Sequence, residues 1–122
     1  MRRLKQGEIV EVELTKPRNP QFHKKFFAML QIVLANQEHY QSIDDLLAVC
    51  KLRTGHTRKI QTAHGIYEVP ESISFAAMDD VAFGDFYDRA VHWVCQEVIP
   101  GLKRNGLDEE VQLALLEFGG EA

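Results

Sequence analysis

Apolar and polar residues along this chain of 122 residues follow two rhythms, and the changes of rhythm mark its elements. From Glu8 to Leu14 the period is two: Val10, Val12 and Leu14 point one way, Glu11 and Glu13 the other. That predicts a half-buried strand with one solvated face. Lys16-Pro17-Arg18-Asn19-Pro20 ends it, because closely spaced prolines cannot sustain a ladder. Asn19 as N-cap and Pro20 as the first helical residue open a helix through about Asn36. Its apolar arc is Phe22, Phe26, Met29, Leu30, Val33 and Leu34, with Lys24, Gln31 and Ala35 opposite and Lys25 on the border.

Ser42-Ile43-Asp44-Asp45 starts a second helix with Ser42 as its cap. Leu46, Leu47, Val49 and Cys50 supply its apolar side, Lys51 and Arg53 suit the negative end of its dipole, and Gly55 terminates it. Thr57–Thr62 and Ile66–Val69 read as two strands joined by a hairpin around His64-Gly65. Ser72-Ile73-Ser74-Phe75 reads as an extended connector. Asp79 caps a long helix from Asp80 to about Glu97, with Phe83, Phe86, Tyr87, Ala90, Trp93, Val94 and Val98 on its core side. Asp85, Asp88, Arg89, His92 and Gln96 lie opposite, where Asp85–Arg89 and Asp88–His92 have the spacing of surface pairs. Pro100-Gly101 stops it, Asn105-Gly106 reads as a turn, and Asp108 opens a short last helix through Phe118. The expectation is one α+β domain over residues 1–122: a small antiparallel sheet of about three strands packed with four helices.

Composition adds the class. Apolar residues at 45% and charged ones at 26% describe a globular protein rather than a disordered one. The longest uncharged apolar-rich run, Phe26 to Gln37, is too short to span a bilayer. The basic start lacks the apolar stretch of a signal peptide. Both features lead to the expectation of a cytoplasmic protein with no membrane partner. Cys50 and Cys95 form no CxxC pair and read as reduced thiols near a core.

Charge changes the picture more. Fourteen Lys+Arg against 18 Asp+Glu leave a net of −4, which excludes a protein that is basic all over. The average hides a polarity: residues 1–60 carry 11 basic against 6 acidic residues, a net of +5, and residues 61–122 carry 3 against 12, a net of −9.

Chemistry leaves few marks. The five histidines (His23, His39, His56, His64 and His92) include no pair with zinc-site spacing, and no metal or other cofactor is expected. Cys50, His56 and His64 flank neighbouring elements, but nothing in their spacing demands convergence. Asp79, Asp80, Asp85 and Asp88 lack the adjacent lysine that often accompanies two-metal nuclease carboxylates. Phosphate-binding loops and the nucleophile elbow are missing, so no catalytic residue is assigned and a non-enzymatic role is favoured. Ser72, Ser74 and Asp79 read as turn and cap residues. His23 falls within the apolar arc, which marks it for burial.

The basic half carries the first functional expectation. Lys16, Arg18, Lys24 and Lys25 cluster where the first strand meets the first helix; Lys51, Arg53, His56, Arg58 and Lys59 cluster where the second helix enters the hairpin. Long cationic side chains beside turns suit a phosphate track, and Tyr67 and Phe75 suit base stacking. Binding of DNA, single-stranded or branched included, is one reading. The other is a basic protein partner docked through the acidic half at Asp85 and Asp88, since complementary potentials orient association. A homo-oligomer fits either reading.

The string Pro17-Arg18-Asn19-Pro20-Gln21-Phe22-His23-Lys24-Lys25-Phe26-Phe27-Ala28-Met29-Leu30, preceded by Gly7–Leu14, resembles a family of small phage and prophage proteins of unknown function. Leu52-Arg53-Thr54-Gly55-His56, Glu71–Asp79 and Phe86-Tyr87-Asp88-Arg89-Ala90 resemble the same family, over roughly residues 7–100. Arg18–Leu30 is also loosely similar to NinB-type phage recombination accessory proteins. What the resemblance implies is a phage accessory protein of recombination or replication that contacts DNA through Arg18, Asn19, His23, Lys24 and Lys25. The alternative it leaves is an inhibitor or adaptor acting on a host nuclease or defence protein.

Overall fold

The Asn19 side chain accepts a hydrogen bond from the Gln21 N–H at 2.9 Å, and Pro20 fills the first helical position. Helix α1 (Pro20–Ala35) therefore starts where local chemistry places it. The computed structural model describes residues 19–117. The strand expected over Glu8–Leu14, and the candidate Arg18, lie outside the described residues. Helix α2 (Ile43–Thr54) is capped by Ser42 Oγ, which accepts from the Asp45 N–H at 3.1 Å. Gly55 ends it at φ +82°, a left-handed backbone that lets the His56 N–H reach the Lys51 carbonyl at 2.9 Å.

Strands β1 (Thr57–Thr62) and β2 (Gly65–Pro70) form an antiparallel hairpin, in register from Thr57↔Pro70 to Thr62↔Gly65. Its turn is tied by Thr62, whose hydroxyl donates to the Gly65 carbonyl at 2.8 Å and accepts from the His64 N–H at 3.1 Å. The connector that follows is anchored by buried Ile73 and Met78. Asp79 then caps helix α3 (Asp80–Trp93), its carboxylate accepting from the Ala82 N–H at 2.9 Å. Helix α4 (Arg104–Glu117) closes the described chain. Among the described residues, four helices and a small antiparallel sheet make the fold α+β, as expected.

Three boundaries differ from expectation. The sheet has two strands rather than three among the described residues. The long helix is regular only to Trp93 and widens into a π-helical turn over Val94–Val98, closed by Ile99 N–H to the Val94 carbonyl at 2.9 Å. Pro100 explains the ending: it disfavours helical backbone at Ile99, which sits at φ −129°, ψ 77°. The last helix starts at Arg104 instead of Asp108, with Asn105 and Gly106 inside its first turn. Gly in a helix costs about 1 kcal/mol. Burial of Leu107 and Val111, each worth roughly 1.5–3 kcal/mol, outweighs that.

The core is aromatic. Phe26 is fully buried, with the rings of Phe27, Phe86, Phe83 and Tyr87 at 5.3, 5.3, 5.7 and 6.3 Å from its own. Met29, Leu30 and Val33 of α1, Leu46 and Cys50 of α2, Ala90, Trp93 and Val94 after them, and Leu107 and Val111 of α4 complete it. Phe22 and Leu34, also on the expected arc, are half-buried at its edge. The face of α1 opposite this core is not wholly solvated: Lys24, Gln31 and Ala35 border a groove against α4 whose walls include Phe27, Ile32 and Leu115.

Candidate functional site

The hairpin stands apart from this core. On β2 every residue except Val69 is exposed, and Ile66 and Tyr67 are 59% and 54% exposed. Residues paired across the ladder share a face, so Arg58 and Val69 lie beside Ile60 and Tyr67 on one side. Lys59, Glu68, Gln61 and Ile66 take the other. Arg58 meets Glu71 at 3.5 Å and Lys59 meets Glu68 at 3.4 Å, between side chains that are all about half exposed or more. Ion pairs of this kind contribute roughly 0–1 kcal/mol, little enough for a phosphate to displace. The base of the hairpin is secured differently. The His56 Nε2–H donates to the Ser72 carbonyl at 2.8 Å, its ring lies 5.1 Å from that of Phe86, and its carbonyl accepts from the Glu71 N–H at 3.0 Å. His56 is thus a structural clamp.

The other basic candidates are spread over the helical body. Lys25 places its ammonium 5.2 Å from the centre of the Tyr87 ring and 5.8 Å from that of Phe22. Lys24 borders the groove between α1 and α4. Lys51 is half-buried, and neither it nor Lys24 makes an ion pair among the described residues. His23 is half-buried, as expected, among the rings of Phe27, Phe75 and Phe83 at 5.0, 5.2 and 5.9 Å. Phe75, expected as a stacking platform, packs on His23 and keeps 48% exposure.

Two residues from opposite readings, Arg53 and Asp88, line one polar cleft of about 570 Å³ between the end of α2 and the face of α3 that runs into the π turn. Arg53 binds Glu97 through two hydrogen bonds, Nε at 3.1 Å and Nη2 at 2.8 Å. The hydrogen bond from Arg53 holds the Glu97 carboxyl below its ordinary pKa. The Trp93 indole N–H also faces that carboxylate and helps in the same direction, but it lacks hydrogen-bond geometry and stays buried and unsatisfied. Asp88 pairs with Arg104 at 2.9 Å, and Arg104 also reaches Asp108 at 3.5 Å. Arg89 donates its Nε–H to the Thr54 carbonyl at 3.2 Å, capping the end of α2.

The surface pairs expected within α3 are therefore replaced. Asp88 turns to Arg104, Arg89 to a backbone carbonyl, and Asp85 makes no ion pair among the described residues. Glu97, Trp93 and Arg104 were not singled out as site residues by the sequence. The contacts that bring Glu97 and Arg104 to the site, Arg53 with Glu97 and Asp88 with Arg104, join residues 44 and 16 positions apart, beyond the reach of a local pattern.

Burial pushes the Cys50 thiol up to about 12 and raises that of Cys95, so neither is primed as a nucleophile. Among the described residues, no three His, Cys, Asp or Glu side chains come together as metal ligands, and no helix is long and apolar enough to cross a membrane.

Comparison with known families gives one match: residues 1–39 are similar to a family described as protein of unknown function (DUF1367). The matched span takes in the N-terminal segment and all of α1, and ends before the later stretches around Leu52, Glu71 and Phe86. No curated protein and no solved structure gives a significant match, and the NinB-type likeness finds no counterpart.

Proposed function

We propose that the protein is a non-catalytic nucleic-acid-binding accessory of phage DNA metabolism, with the hairpin as its principal contact. The observation that carries the reading is the exposure of both hairpin faces together with Arg58, Lys59 and Tyr67 on them. Cations on a thin two-stranded ribbon can follow a backbone, and an exposed tyrosine offers a stacking surface to an unpaired base. The weak partners Glu68 and Glu71 give way to phosphates, whereas Arg53, held twice by Glu97, and Lys25, over two rings, serve the fold first. Arg18, Lys24 and Lys51 extend the contact as auxiliary charges.

A salt-titrated binding panel with duplex, single-stranded and forked DNA tests this. Binding at low salt is expected, with a slope that flattens by about one for each phosphate contact removed when Arg58 and Lys59 become Gln. Absence of binding to every substrate at low salt would overturn the reading.

The described body itself favours a second reading. Residues 19–117 hold 9 Lys+Arg and 14 Asp+Glu, a net of −5, and Asp85 is exposed without an ion pair among them. An anionic surface of this kind suits a basic host protein, for which the measurement is capture of a stoichiometric partner that Asp85→Lys abolishes.

A further inference from the structure

The polar cleft between α2 and α3 has a charge balance that singles out one residue. Two of its carboxylates are already neutralised, Glu97 by the two-point contact with Arg53 and Asp88 by Arg104 at 2.9 Å. Arg89 is the cation left over. Its Nε–H is committed to the Thr54 carbonyl, which fixes the guanidinium plane, and among the described residues it has no carboxylate partner. A guanidinium so held presents its two Nη groups as a fork, the geometry that oxyanions accept bidentately.

Further donors line the same cleft. The imidazole of His92 and the amide of Gln96 are exposed on its wall, and the Trp93 indole, 4% exposed, turns its N–H toward the Glu97 carboxylate. The π-helical turn over Val94–Val98 starts here, and such turns recur at functional sites.

We infer that this cleft is an oxyanion site that takes a phosphate group on the Arg89 fork, with His92 and Gln96 as supporting donors. Arg89, His92 and Gln96 follow one another along a single helical face, so a tetrahedral phosphate, whose oxygens point in more than one plane, can take donors at successive positions along it where a flat carboxylate cannot. The site stands apart from the hairpin and does not depend on the hairpin's binding nucleic acid. Two sources share the chemistry: free phosphate, as on a small metabolite, and the terminal phosphate of an oligonucleotide.

Trp93 is the only tryptophan in the chain and lines the cleft, so its indole N–H resonance and its fluorescence are single probes placed at the site. Titration with inorganic phosphate, against sodium chloride at matched ionic strength, should shift that resonance saturably. Arg89→Gln should weaken the response roughly tenfold or more, as expected for losing hydrogen bonds to a charged group. Because Arg89 also caps α2, the double variant His92→Ala, Gln96→Ala, altered only at exposed positions, serves as the second probe and should weaken binding severalfold.

No saturable shift in the wild type overturns the inference. So does an unchanged response in Arg89→Gln with its fold intact or, should that variant not fold, an unchanged response in the double variant. Arg58→Gln, Lys59→Gln should leave the phosphate response as it is, which separates this site from the hairpin. A 5′-phosphorylated oligonucleotide that competes where its 5′-hydroxyl counterpart does not assigns the phosphate to a nucleic-acid end. Competition by neither, with phosphate still bound, assigns it to a small molecule.

Discussion

The helical body and the hairpin are built by opposite economies. Around Phe26, helices α1, α2, α3 and α4 bury whole aromatic and aliphatic side chains, and among the described residues seventeen apolar ones form one continuous core. The hairpin buries almost nothing: of the twelve residues in its two strands only Thr57, Ile60, Thr62 and Val69 are even half-buried, and its rigidity comes from the ladder and the clamp of His56 on Ser72. Stability is thus stored in the body, while the hairpin leaves its cations and Tyr67 open to a partner. The difference shows where a small domain can carry exposed cations and an exposed tyrosine without risking its fold.

The sharpest way to break this contrast is to cut the body. Phe26→Ala should cost about 3–5 kcal/mol, enough to lower the midpoint of denaturant unfolding severely. A loss under about 1 kcal/mol would mean that Phe26 does not centre the core. Next in size is the cap of α3: Asp79→Ala should cost about 1 kcal/mol, read in the same unfolding experiment. On the hairpin side, Tyr67→Ala and the double change Arg58→Gln, Lys59→Gln should each stay within about 0.5 kcal/mol while altering nucleic-acid binding. Amide hydrogen exchange should rank the regions in the same order, with β2 amides exchanging well before those of α1.

Two smaller effects sharpen the picture. Cys95, half-buried, should react with a thiol reagent in the native state, while Cys50, buried and with its thiol raised to about 12, should react only on unfolding; equal rates would contradict the core assignment. The Arg53–Glu97 contact gives the pH dependence. Its folded-state carboxyl pKa lies below the ordinary value, so its contribution is present above the unfolded glutamate range and is lost as pH falls through the folded pKa. Titration of the Glu97 carboxyl by NMR should show it moving up toward the ordinary glutamate value in Arg53→Gln.

Much of the fold was legible because its signals are local. Asn19, Ser42 and Asp79 cap the helices that they were expected to cap, Gly55 ends α2, and the apolar arc of α1 supplies Phe26, Met29, Leu30 and Val33 to the core. One misreading falls where burial overrides local preference, the other where a proline acts on the turn before it. Asn105-Gly106 is a good turn in isolation, yet Leu107 and Val111 draw it into α4, and the turn before Pro100 widens instead of continuing the helix.

The candidate site divides the same way. A helix or strand period states which side chains face inward, because it depends only on neighbours within a turn or two. By itself, therefore, the sequence determined the elements, the caps, the core stripe and the overall charge polarity. Which base meets which acid depends on how helices cross. Arg53 with Glu97, Asp88 with Arg104 and Arg89 with the end of α2 join residues 44, 16 and 35 positions apart. The tertiary structure alone decided those meetings, and with them which cations are spent within the fold and which remain for a partner.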